Sequence, residues 1–187
     1  MDEPVTDARP RRVAIVDASG DAVTAALLAD AAEALPVYAE LSGVAAPEPM
    51  RAGAGRDIAD CDTVLLALRL EARATRIEEL PMVYAPAGAR VYALICADGD
   101  PGVATYALAE LEEHCEARGF AWMGGLAVGD ADLLPDLGRR PRMGWARRRV
   151  SEALDALLIA LLASRSFGER YVRLSRYARL VAGRRPI

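Results

Sequence analysis

The chain has 187 residues, a formal net charge of −4 and 53% hydrophobic residues, and its 23 basic residues are all arginine, with no lysine. That length fits one domain with a core large enough to stand without disulfides or metal. Cys61, Cys96 and Cys115 are odd in number, far apart and free of C-x-x-C spacing, which argues against a disulfide framework, a zinc site or an iron–sulfur site. Residues 1–11 read as a flexible polar tail and 12–187 as a single domain. With no signal-peptide pattern at the start, the expected compartment is a reducing cytoplasm.

Residues 12–35 organise the rest. The β-branched run Val13-Ala14-Ile15-Val16 is a strand, Asp17-Ala18-Ser19-Gly20-Asp21 a polar loop, and an alanine-rich helix follows to Leu35, closed by Pro36. In an open parallel sheet this unit sets the loop at the carboxyl end of the strand and aims free helix N–H groups into the crevice, which favours a phosphate. Residues 37–41 alternate well enough for a short second strand, and 45–55 read as a surface connection. The third strand is the apolar run 63–68, of the kind that burial on both faces requires. A polar loop at 69–76 and a short helix at 77–80 precede a fourth apolar strand at 91–96.

Residues 97–102 form a turn-rich loop. The helix 105–118 carries Leu108, Leu111 and Cys115 on one stripe and stops at Gly119. A fifth strand runs from Phe120 through Gly124-Gly125 to Gly129. After a long arginine-rich loop comes a helix over 146–164, apolar from Ala153 to Ala163 except for Asp155. That stretch is too short to cross a bilayer and too apolar to lie in water, so it reads as core or as a dimer contact, and a homodimer is expected. The tail 171–181 spaces Tyr171, Leu174, Tyr177 and Leu180 as a surface helix.

Charge is unevenly divided. Residues 1–138 carry 10 Arg against 24 Asp and Glu, and residues 139–187 carry 13 Arg against 3. The basic quarter is expected to lie across the acidic body of its own chain or of a second subunit; the alternative is an anionic ligand or partner. Nucleic acid is not an expected partner, because the arginines lack interleaved stacking aromatics and the rest of the chain repels phosphate. No membrane partner is expected either.

Five strands alternating with helices predict a doubly wound α/β fold: a flavodoxin-like three-layer sandwich with a five-stranded parallel sheet of order 2-1-3-4-5. The detail goes further. Cys61-Asp62-Thr63-Val64-Leu65-Leu66, Gly88-Ala89-Arg90-Val91-Tyr92-Ala93-Leu94-Ile95, and the run from His114 through Gly119-Phe120 and Gly124-Gly125 to Gly129 resemble, in order and spacing, segments of the flavodoxin-like NAD(P)H-dependent oxidoreductases of FMN-reductase type. The resemblance implies FMN as cofactor, NAD(P)H as hydride donor, and reduction of FMN or a quinone as the activity. It also implies three flavin loops. Ser19, Gly20 and Thr24 stand at the phosphate loop, Arg69 and Leu70 at the second loop, Asp98 and Gly99 at the third, with Gly129 after the fifth strand.

Two loops depart from the family. The second lacks the proline and the aromatic that cover the flavin ring, and the third is acidic where the family is neutral. Asp17 and Asp21 flank the first loop, which disfavours a dianion unless an arginine offsets them. Ser19 or Asp21 can equally serve only as the helix cap. Arg69 and Arg73 either replace lost contacts by binding another anion or are solvated. His114 reads as a surface residue, Trp122 and Trp145 as packing residues, and no Ser/His/Asp arrangement is available. Two functions therefore stay open. One is a flavoprotein oxidoreductase with an altered site that takes a flavin or other small phosphate-bearing ligand; the other is a non-catalytic flavodoxin-fold binding or assembly protein that has lost FMN.

Overall fold

The computed structural model of the chain describes residues 10, 12–52, 58–70, 85–138 and 141–182. The expected helix at 77–80, Arg73 and residues 1–9 and 11 of the expected tail lie outside the described residues. In chain order the elements are β1 Arg12–Asp17, α1 Ala22–Leu41, β2 Glu48–Ala52, β3 Thr63–Arg69, β4 Arg90–Cys96, α2 Thr105–Arg118, β5 Ala121–Gly129, α3 Leu134–Leu137, α4 Arg148–Leu162, β6 Gly168–Arg173 and α5 Ala178–Val181. Single 3-10 turns, Pro101–Ala104 and Ala131–Leu133, lead into α2 and α3.

The apolar runs behave as their composition demands. β3 and β4 are buried on both faces, and all strand pairs are parallel in one six-stranded sheet of order β2-β1-β3-β4-β5-β6. Period-two alternation splits the core in two. Val13, Ile15, Leu65, Tyr92, Leu94, Leu126 and Val128 face α1 and α4, whereas Ala14, Val16, Val64, Leu66, Val91, Ile95 and Ala127 face Leu108, Leu111 and Cys115 of α2. The result is a parallel sheet flanked by helices on both sides. The inner five strands keep the expected order, but the sheet has six strands, not five.

Three expectations are corrected. Residues 37–41 are not a strand: α1 continues through Pro36 to Leu41. Pro36 removes one helical hydrogen bond, yet Leu35 and Ala39, one turn apart, are both buried, and the Tyr38 hydroxyl bonds to Asp155 of α4. Tertiary packing outweighs the local break. The second strand is instead Glu48–Ala52, inside the stretch read as a surface connection. Val13 pairs with Pro49, which a strand tolerates only at an edge. Finally, the tail is not one helix, because residues 168–173 add β6 beside β5 and only Ala178–Val181 is helical.

Two glycines explain how β6 arrives. A Cβ at Gly124 would lie 2.1 Å from the Gly168 carbonyl oxygen, and Gly124 itself sits at φ +108°. Only glycine lets the two backbones meet there. The apolar helix α4 is core: Leu154, Leu157, Leu158, Leu161 and Leu162 are buried within the chain itself, so the apolar stretch needs no dimer to cover it. Helix α1 is long and apolar enough to cross a membrane by length and composition, and Val23, Leu27, Leu28, Ala31, Ala34, Leu35 and Ala39 of it are buried within the chain.

Candidate functional site

The eight expected site residues all gather at the carboxyl ends of β1, β3, β4 and β5, the crevice side of an open parallel sheet. Their polar groups are bonded largely to other residues of the same loops. Asp17 folds back on its own loop, and its Oδ1 accepts the N–H groups of Ser19 at 3.2 Å and Gly20 at 2.8 Å. Asp21 is the N-cap of α1. Its Oδ1 accepts the N–H groups of Val23 and Thr24, both at 2.9 Å, and the Thr24 hydroxyl at 3.0 Å. Thr24 is fully buried beneath the loop. The donors that a phosphate would use are bonded to two carboxylates of the same loop.

Arg69 ties the loops together. Its backbone N–H donates to Ser19 Oγ at 2.7 Å, while its guanidinium donates to Asp21 at 3.3 Å and to Asp98 at 2.7 Å. The side chain spans the mouth from the β1 loop to the β4 loop, with 24% of it exposed. Arg69 is thus not a solvated loop residue; it is the offset for Asp21 that the sequence left open. Burial pushes the Asp21 carboxyl up, but the bonds from Thr24, Arg69 and Val23 together outweigh burial and hold it below its ordinary value of 3.8. The bond to Asp98 leads the effects that raise Arg69 further above its already high value.

The remaining candidates are fixed by backbone. Leu70 donates its N–H to the Cys96 carbonyl at 2.8 Å, and the Gly99 carbonyl accepts the Asp130 N–H at 2.9 Å. At Gly129 a Cβ would lie 2.3 Å from Gly99 O and 2.5 Å from Pro101 Cδ, so this glycine is set by the close approach of two loops. Asp100 caps the 3-10 turn by accepting the Gly102 N–H at 2.7 Å. Asp130, at φ +53°, accepts from Arg173 Nε at 2.6 Å and Nη2 at 3.3 Å. The roles of Asp17, Asp130 and Arg173 were missed. For Asp130 the Gly-Asp turn after a strand was the available signal.

Electrostatically the described mouth holds five carboxylates, Asp17, Asp21, Asp98, Asp100 and Asp130, against two guanidinium groups, Arg69 and Arg173. A dianion entering it meets net negative charge. No aromatic side chain stands at Leu70 or along Ala97–Asp100 to cover a flavin ring. These residues, as arranged, do not fit FMN. Cys96, at the base of the mouth, is pushed up to about 12, by burial first and then by Asp21; it is a thiol at neutral pH and not a nucleophile. Among the described residues no group of three His, Cys, Asp or Glu side chains could hold a metal ion.

Elsewhere, Trp122 packs half-buried on the α2 side, as expected. Trp145 does not pack inside: it is 64% exposed, its ring 5.1 Å from that of Tyr177. His114 is half-buried on α2. The basic quarter does meet the acidic body of its own chain, through Arg147 to Asp30 and Arg173 to Asp130. Comparison of the sequence with family models finds no match, and comparison with curated proteins finds none.

Proposed function

We propose that this chain is a flavodoxin-like scaffold that has given up FMN and works as a non-catalytic binding or assembly protein. One observation carries the reading. The first-loop donors are bonded to Asp17 and Asp21, and Arg69 is drawn across the mouth onto Asp21 and Asp98. To admit a phosphate the chain would have to break several charge-assisted hydrogen bonds and crowd further negative charge against the carboxylates. A solvated loop would present no such cost.

The second reading keeps a flavin and NAD(P)H-dependent reduction. What favours it is that Ser19, Gly20 and Thr24 sit at the crevice where open α/β sheets bind ligands. The two part on a simple measurement: the visible spectrum of freshly purified protein, then FMN titrated with flavin fluorescence as readout. The scaffold reading expects a colourless protein and no saturable quenching. A yellow protein, or saturation at low micromolar FMN, overturns it and revives the reductase.

A further inference from the structure

The two edges of the sheet are not alike. On one side β2 carries Pro49 within the strand and Pro47 before it, and proline blocks a further ladder. On the other, β6 runs Gly168-Glu169-Arg170-Tyr171-Val172-Arg173, with no proline and no break in its register with β5, and every residue except half-buried Val172 is exposed. Among the described residues no strand pairs with its outer side, and Glu169, Arg170 and Arg173 give that edge charges that limit which strand can pair with it. Beside it lies exposed apolar surface: Val103 is 59% exposed and Tyr106 87%. Both lie close in sequence to Thr105, whose hydroxyl stands near that of Tyr171 and donates to the Gly102 carbonyl at 2.8 Å.

The side chains of the edge are self-complementary in one register. Laid antiparallel on a second copy with the two-fold axis through Tyr171, the strand sets Glu169 opposite the copy's Arg173, Arg173 opposite the copy's Glu169, and Tyr171 opposite itself. Opposite charges meet twice, on the same face as the tyrosine. Shifting the sum of paired positions by two, the smallest shift the two-fold axis allows, sets Glu169 against Tyr171 with Arg170 against its own copy, or Tyr171 against Arg173 with Val172 against its own copy; either shift loses both ion pairs. The side chains stand ready for the first register. Tyr171 already donates to Glu169 at 2.6 Å, drawing that carboxylate toward the axis. Arg173 reaches Asp130 through Nε and Nη2, which leaves Nη1 for the copy.

We infer that β6 is a docking edge for a second copy of this chain, pairing antiparallel about Tyr171 to make one continuous twelve-stranded sheet across a two-fold dimer. This names the partner under the assembly reading above and rests on it, yet the two fail separately. Flavin uptake would sink the closed crevice and leave the dimer; a monomer would sink the dimer and leave the crevice.

The test uses the full chain. Light scattering and sedimentation at micromolar concentration are expected to give a dimer. Tyr171→Cys is expected to cross-link to itself under mild oxidation, since Cys61, Cys96 and Cys115 are all buried, whereas Val172→Cys, which faces the copy's Arg170, is not. Glu169→Arg sets arginine against arginine at both ends and is expected to raise the dimer dissociation constant at least about tenfold. Its circular dichroism should stay that of the parent, and its thermal midpoint should lose the dependence on protein concentration that the dimer confers. A monomeric parent overturns the inference, and so does a dimer that ignores Glu169→Arg or fails to cross-link through position 171.

Discussion

At the scale of single residues, the chemistry turns on Arg69. Its guanidinium is shared between Asp21, a helix cap, and Asp98, on a different loop, so removing it leaves two carboxylates facing one another across the mouth. Arg69→Ala is expected to cost about 1 kcal/mol at neutral pH, modest because the pair is partly solvated. The sign with pH follows from Asp21. Its folded pKa lies below 3.8, so the stability it contributes is present in full above that value and lost as pH falls through the folded one. Urea unfolding of the variant should therefore differ most from the parent near neutrality and converge with it in acid. Gly129 offers a second residue-scale check. If it is there for packing, Gly129→Ala costs roughly 2 to 4 kcal/mol with no ligand present, because the new methyl meets backbone and a proline ring. An unchanged thermal midpoint would return Gly129 to the list of ligand contacts.

Among elements, α4 decides how the C-terminal third is held. The buried Tyr92 hydroxyl of β4 donates to the carbonyls of Arg165 at 3.0 Å and Ala160 at 3.3 Å, latching the end of α4 to the sheet. At its start, Arg147, with a side chain only 4% exposed, meets Asp30 of α1. Burial raises Asp30 above its ordinary 3.8, and Arg147 is what most opposes the rise. Replacing Arg147 by Met strands that carboxyl, at a cost of about 3 to 5 kcal/mol. A raised carboxyl favours the folded state only below its unfolded pKa, and that contribution disappears as pH climbs through the folded value. Denaturant midpoints should then show the defect of Arg147→Met growing as pH rises above 3.8; a pH-independent defect would mean packing, not charge. The elements also show what periodicity can carry. The strands 63–69 and 90–96 and the helix 105–118 were legible because burial on both faces, or on one stripe, writes itself into the sequence. Residues 37–41 alternate like a strand, but their fate was set by contacts with α4 that lie over a hundred positions away. β2 was hidden by the prolines that suit it to an edge, and β6 by having almost no apolar content. Of the site, the position of each loop could be read from the strand–loop–helix order. The hydrogen bonds of Asp17 and Asp21 to their own loop could not, because the same Asp-rich turn fits a cap or a guarded ligand site.

For the whole molecule, the division of charge along the chain becomes a division of roles. Arg142 with Asp155 and Arg147 with Asp30 lie largely out of solvent, whereas Arg12 with Glu48 and Asp60, and Arg148 with Glu152, stand in it. Salt screens the second kind and barely touches the first. The pairs proposed between Glu169 and Arg173 of two copies belong to the exposed kind, since every β6 residue but half-buried Val172 is open to water. Raising ionic strength toward about 1 M, where screening reaches only about 3 Å, should therefore separate two properties. Dimer affinity should fall several-fold by sedimentation, while the thermal midpoint of Glu169→Arg, taken as the monomer, should hardly move. Should that midpoint collapse as well, the basic quarter would be held to the acidic body by screened surface charge, and the buried pairs at α4 would not be what anchors it.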